Sequence, residues 1–116
     1  HKKLHVEVEE NAACKVHMNE SLANILITNL LKNAMIHTPN EGSITIRVQS
    51  TGITFTNSTD GNALDQSRLF TRFYQADNKK SDSTGLGLAI IQSIVHLYHF
   101  HISYSFDGKH RFDLRF

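Results

Sequence analysis

A helical run from about Glu20 to His37, opened by Asn19 and closed by Pro39, Asn40 and Gly42, most narrows what this chain can fold into. At about 100° per residue, Ser21, Asn24, Thr28 and Lys32 line one polar stripe that faces solvent. The opposite arc is apolar except at Asn29 and Asn33. These lie among Leu22, Ile25, Leu26 and Ile36, four residues apart on one face, with His37 a further turn on. A buried amide without a partner costs roughly 1–3 kcal/mol. The two carboxamides therefore either bond to backbone or to each other, or they border a cleft and hold a ligand or a hard cation such as Mg²⁺.

The apolar arc needs a layer to lie on, and alternation along the chain supplies one. Leu4, Val6 and Val8 alternate with His5, Glu7 and Glu9, which predicts a half-buried strand, and Ala13 to His17 can form a second short one. Ile44, Ile46 and Val48 alternate with Thr45, Arg47 and Gln49; Ser50-Thr51-Gly52 then turns the chain into an antiparallel partner carrying Ile53 and Phe55. His101 to Phe106 and Arg111 to Phe116 alternate again, joined by the hairpin turn Asp107-Gly108. A second helix is expected from Gly85 to about Tyr98. Leu88, Ile90, Ile91, Ile94, Val95, Leu97 and Tyr98 form its apolar arc, and Gln92, Ser93, His96 and His99 its polar one. Asn57 to Asp65 and Gln75 to Ser83 are polar and aperiodic and read as loops. The order predicts an α+β sandwich, with helices on one face of a mostly antiparallel sheet.

Thr84-Gly85-Leu86-Gly87-Leu88 stands between the second loop and the second helix. Glycines at a helix start let backbone N–H groups approach an anion, and the helix dipole favours negative charge there. Alone the segment reads equally as a hinge. It is neither a Walker A loop, since no Gly-Lys-Ser/Thr follows, nor a dinucleotide fingerprint, since no strand directly precedes it.

Bulk properties exclude several classes. The length of 116 residues suits one domain, and 40% hydrophobic with 20% charged residues is ordinary for a globular chain. Twelve Lys and Arg against eleven Asp and Glu, with no basic block, argue against a nucleic-acid or membrane-binding surface. The single Cys14 rules out a disulfide or a cysteine-based zinc site within the chain, and a small core residue is expected there. No apolar stretch reaches the roughly 18 residues of a membrane helix. No signal peptide is expected in a chain opening His1-Lys2-Lys3. His96, His99 and His101 could be imagined around a metal, but their place on the polar face favours solvated side chains.

In order, three segments carry a resemblance. Asn29-Leu30-Leu31-Lys32-Asn33-Ala34-Met35-Ile36-His37-Thr38 resembles the N box of the catalytic ATP-binding domain of bacterial sensor histidine kinases. Leu69-Phe70-Thr71-Arg72-Phe73-Tyr74-Gln75 resembles its F box, and Ser83 to Ile90 its G2 box. The resemblance covers nearly the whole chain. It implies an α+β, two-layer sandwich of Bergerat type with an ATP lid over Tyr74 to Ser83, spanning residues 1–116 as a single domain cut from a larger protein. It also implies ATP and Mg²⁺ as ligands. By position, Asn33 is the Mg²⁺-binding and catalytic residue and Asn29 its phosphate-side neighbour. Lys32 and His37 stand where phosphate or ribose contacts occur. Arg72, with its planar guanidinium, acts on the phosphates, and Lys79 and Lys80 of the lid are further phosphate partners. Phe70, Tyr74, Thr84, Gly85, Leu86, Gly87 and Leu88 complete the nucleotide cradle.

One departure concerns the base. The family's G1 box has an Asp that accepts from the adenine amine; the aligned stretch here is Asn57-Ser58-Thr59-Asp60-Gly61-Asn62. Asn57 can accept without charge, so a weaker contact is expected, with Gly61 in the glycine position. His110 stands near where the family's last strand often has a Thr.

The implied activity is that of a protein histidine kinase in two-component signal transduction, donating the γ-phosphate to a histidine on the protein's own dimerisation domain. A response regulator would be the downstream partner through the full-length kinase. The domain would lie on the cytoplasmic side, making no direct membrane contact itself, in a protein anchored to the inner membrane. None of the eight histidines lies in a His-Glu-Leu-like acceptor motif followed by Pro, so this chain should bind nucleotide but not autophosphorylate alone. Two alternatives remain. One is a degenerate nucleotide-binding domain acting as a regulatory module. The other is an ATPase of the chaperone, gyrase and mismatch-repair type, which needs a Glu where Asn29 stands.

Overall fold

The computed structural model describes residues 3–64 and 87–116. The elements are β1 (His5–Glu10), α1 (Glu20–Ile36), β2 (Ser43–Gln49), β3 (Gly52–Ser58), α2 (Gly87–Leu97), β4 (His101–Phe106) and β5 (Lys109–Arg115). The strands form one five-stranded sheet in the order β1-β2-β3-β5-β4. β1 pairs with β2 in parallel and every other pairing is antiparallel. The parallel pair follows from topology: α1 lies between β1 and β2, and only a crossover of this length can return the chain in the same direction.

α1 begins where Asn19 predicts. The Asn19 Oδ1 accepts from the Leu22 N–H at 3.1 Å, satisfying one of the donors a helix start leaves free. The Asn19 N–H in turn donates to Tyr98 Oη at 3.0 Å, which ties the start of α1 to the end of α2. The expected polar stripe of Ser21, Asn24, Thr28 and Lys32 is exposed. Leu26, Leu30 and Ala34 are buried and face α2 and the sheet. From α2 come Ile91, Ile94 and Val95; from the sheet come Phe55, Tyr104, Phe112 and Leu114. Register aligns them: Phe55 stands opposite Phe112, which stands opposite Tyr104.

Three expectations are corrected. Ala13 to His17 form no strand. After Asn11 N–H closes on Val48 O, the chain leaves the sheet edge for Asn19 in the helix layer, so this segment has no ladder to join. Val6 and Val8 are 53% and 61% exposed, so β1 is not half-buried on its apolar side. They extend the Ile44 and Ile46 face to the sheet edge, past the part of that face where those partners are covered. The buried arc of α2 is also narrower than its apolar arc. Ile90 and Leu97 are 40% and 62% exposed, because both lie on the same flank, roughly 100° or more from Ile91 around the helix.

Gly52 reads in sequence as a turn residue, but it is a buried ladder position opposite Arg115. A Cβ there would overlap the Leu114 carbonyl oxygen, and backbone cannot swing aside as a side chain can. Gly52→Ala is expected to destabilise the fold by about 1–3 kcal/mol or more, read as a lower urea midpoint at unchanged slope. An unchanged midpoint would show that β3 and β5 approach less closely than this register requires.

Candidate functional site

Two buried polar atoms among the described residues lack a hydrogen-bond partner: Asn33 Nδ2 and Asn57 Oδ1. Buried polar atoms are nearly always satisfied, so these two mark where something else belongs.

The pair expected on α1 is split by its helical setting. Asn29 Nδ2 donates to the Ile25 carbonyl at 2.8 Å, one turn back, and is half-buried. Asn33 has no such bond. The angular reason is simple: Asn33 lies roughly 20° from Leu26 around the helix, inside the buried arc, whereas Asn29 lies roughly 60° away toward exposed Ile25.

His37 joins Asn33 to Asn57. It caps α1, with its N–H bonded to Asn33 O at 3.2 Å, and its carbonyl accepts from Asn57 Nδ2 at 3.4 Å. Asn57 Nδ2 also donates to Ser58 O at 3.1 Å, and the residue is 1% exposed. With both hydrogens directed at carbonyls, the carboxamide cannot reverse without setting oxygen against oxygen. Its Oδ1 is therefore held as an acceptor in want of a donor. An Asp at this position would lose both bonds and place its charge beside two carbonyl oxygens, so the local backbone fits Asn.

Beyond Asn57 the polar cluster continues onto β5 and β4. His110, 3% exposed, is the register partner of Asn57. Its ring lies edge-on to His37 with centroids 5.8 Å apart. Its Nδ1 is 2.8 Å from Tyr104 Oη, which also accepts from the Leu64 N–H at 2.9 Å. Burial pushes the His110 imidazole below its ordinary value of 6.5. Unfolded chains then bind the proton more readily than folded ones. Stability from this group is full above pH 6.5 and declines as pH falls through and below that value. Thermal melts between pH 7.5 and 5 should show this decline, and His110→Gln should reduce it. An identical pH profile in the variant would remove His110 as the cause.

Of the other expected site residues, Lys32 is exposed on the polar stripe and His37 is half-buried. Gly61 is exposed, its N–H bonded to Thr59 Oγ1 at 3.0 Å. A Cβ on Gly61 would meet only that oxygen, at ordinary contact distance, so the backbone there does not demand glycine. Gly87 opens α2, and Leu88 packs against the core. Phe70, Arg72, Tyr74, Lys79, Lys80, Thr84, Gly85 and Leu86 lie outside the described residues. Tyr104 was missed in the sequence, where it reads only as an inward-facing strand residue; its hydroxyl contact with His110, six residues on, carried no local signal. His96, His99 and His101 are exposed, and no group of three or more His, Cys, Asp or Glu among the described residues could hold a metal ion. Cys14 is half-buried, and burial pushes its thiol up, away from thiolate chemistry.

This geometry meets known proteins at three levels. Residues 18–116 match the family described as histidine kinase-, DNA gyrase B- and HSP90-like ATPase. The heme sensor protein HssS of Staphylococcus epidermidis is 41% identical over 98 residues, covering 81% of this chain; the match spans only 22% of that protein. Among solved structures, the mycobacterial sensor histidine kinase MprB has a TM-score of 0.75 at 18% identity, covering 96% of this chain and 79% of that one. Full-length ShkA, solved in complex with AMPPNP, has a TM-score of 0.70 at 17% identity, covering 96% of this chain and 25% of that one. At such identities the solved structures speak for the fold alone. No described helix is long and apolar enough to cross a membrane. On the family match, the fold and the histidine kinase relatives together, the chain belongs to the histidine kinase-, DNA gyrase B- and HSP90-like ATPase family, as a catalytic ATP-binding domain of the sensor histidine kinase type.

Proposed function

We propose that this domain binds Mg²⁺-ATP between α1 and the Asn57 end of β3 and donates the γ-phosphate to a histidine on a separate dimerisation domain. The observation that carries this reading is the pair of unsatisfied buried atoms, Asn33 Nδ2 and Asn57 Oδ1, on residues that both hydrogen-bond to the His37 backbone. One is a donor and fits a phosphate oxygen; the other is an acceptor and fits the exocyclic amine of adenine. The Asn33 carboxamide also offers a hard oxygen suited to Mg²⁺. When bound, the cation would neutralise charge on the phosphates.

The chain's own part is positioning and charge complementarity, with no covalent step on this domain. Asn33 would orient the phosphates and Asn57 the base. His37 would hold the two asparagines in register, and Arg72 with the Gly85 to Leu88 backbone would meet the phosphates as the family resemblance implies. Asn29 is an amide already bonded to Ile25 O, so it cannot take a proton from water at neutral pH. That favours transfer to a partner over hydrolysis. The acceptor histidine, the response regulator and a place on the cytoplasmic side of an anchored kinase follow by analogy with the sensor kinase relatives.

Calorimetric titration of the chain with the non-hydrolysable AMPPNP, with and without Mg²⁺, tests the reading. Saturable binding that strengthens with Mg²⁺ is expected, together with no turnover of ATP. Absence of binding at millimolar nucleotide would sink it in favour of a regulatory domain that keeps only the fold. Steady hydrolysis of ATP would instead support the ATPase alternative.

A further inference from the structure

We propose that the free edge of β1 is a self-complementary docking strand, which pairs antiparallel with β1 of a second copy of this chain. Pairing there needs no nucleotide.

The sheet has two outer strands, β1 and β4. α2 packs on β4, where Tyr104 is 8% exposed. β1 is bare by comparison, with Val6 and Val8 more than half exposed on one face. Native sheets ordinarily blunt such an edge with a proline, a bulge or a covering element. β1 has no proline, and it runs against β2 without a bulge from His5 to Glu10.

Backbone hydrogen bonds decide which groups this edge offers. The Lys3 N–H donates to Asn40 Oδ1 at 2.8 Å, and Lys3 O accepts from the Glu41 N–H at 2.6 Å. The His5 N–H donates to Gly42 O and the Asn11 N–H to Val48 O, each at 2.9 Å. Odd-numbered residues therefore turn their polar groups toward β2 and the turn before it. The direction alternates along a strand, so Leu4, Val6 and Val8 turn N–H and C=O outward along the free edge. Side chains divide by the same alternation. Leu4, Val6 and Val8 lie on the face of Ile44 and Ile46. Lys3, His5, Glu7 and Glu9 lie on the other, where Glu9 meets Arg47 at 3.3 Å.

A two-fold axis at Val6 matches this strand to itself. Val6 of each copy exchanges N–H and C=O with Val6 of the other, and Leu4 does so with Val8. On that face only apolar side chains meet. On the opposite face His5 stands across from Glu7, and Lys3 across from Glu9, in the pairs whose side chains come closest. Centring the axis on Glu7 sets Glu7 against itself, and centring it on His5 sets His5 against itself. Charge thus selects Val6 as the centre. A strand pair of this length buries less than the roughly 1,200 Å² of a stable complex, so the dimer forms only at high concentration.

Sedimentation of the chain from micromolar concentration to about 1 mM is expected to show a monomer–dimer equilibrium. Across that range amide exchange at Leu4, Val6 and Val8 should slow by about fivefold, while Glu7 and Glu9, already bonded to β2, keep their rates. Val6→Pro removes an outward N–H from each copy and no bond to β2, so it should fold and weaken dimerisation by about tenfold or more. Where that variant fails to fold, Glu7→Lys should weaken dimerisation by about fivefold, and adding His5→Glu should restore it. A chain monomeric at about 1 mM leaves this edge to a strand of some other protein and overturns the proposal. So does a dimer in which Val6 and Val8 exchange as in the monomer, or one that Val6→Pro and Glu7→Lys leave unchanged.

Discussion

Replacing Asn33 with Leu is expected to weaken Mg²⁺-dependent ATP binding by about 10- to 100-fold while leaving the thermal midpoint unchanged or raising it. The two halves of that result have one cause. Asn33 Nδ2 is buried with no acceptor among the described residues, so the folded state bears its desolvation without compensation. Leucine of similar shape removes that cost on a face already lined by Leu26 and Leu30. The lost contact to a charged phosphate is worth about 1.5–3 kcal/mol, which sets the loss in affinity. Stability gained as function is lost is the signature of a site residue. Calorimetric titration and a melt on the same preparation check it. A variant that melts several degrees lower and binds as before would make Asn33 an ordinary part of the core.

The opposite pattern is expected at Phe55. Phe55→Ala should cost about 3–5 kcal/mol, a large part of the 5–15 kcal/mol typical of a domain, and lower the midpoint by more than about 10 °C. Phe55 is 1% exposed at the centre of β3, flanked in register by Ile46 and Phe112 and belonging to the cluster that includes Leu30 and Ile91. Both helices and three strands meet there, so no single element can close the cavity. Where the variant remains folded, its nucleotide affinity should fall less than that of Asn33→Leu, because the Phe55 ring offers a ligand no polar contact. A loss below about 1 kcal/mol would show that the site collapses freely and that the core is centred elsewhere.

Periodicity and punctuation were enough to read each of the described elements, though they also offered a strand over Ala13 to His17 that does not form. Asn19 sets the start of α1, Pro39 and Gly42 lie beyond its end, and Asp107-Gly108 turns β4 into β5 with Gly108 at φ 72°. These are properties of a few adjacent residues, which is why they show in one sequence. Burial was harder. The alternation at Val6 and Val8 and the apolar arc through Ile90 and Leu97 were present, but pattern says which residues could be buried, and only the extent of the facing layer says which are.

The asparagines on α1 show the same division. Their spacing and the apolar face around them were legible in the sequence, as was the resemblance of the surrounding box, because both depend on helical geometry and residue order alone. Sequence left Asn29 and Asn33 as equals. The fold separated them: 20° of helical phase against 60° leaves Asn33 inside the packed arc without a partner, while Asn29 reaches back to Ile25 O. Likewise, Asn57 in place of an acid was visible in the sequence as a lost charge. That one of its amide hydrogens is taken by the His37 carbonyl, 20 residues back, and that His110, more than 50 residues on, is its partner on the neighbouring strand, depends on the tertiary fold. Local order determines which groups are offered; tertiary pairing decides which of them are left wanting a ligand.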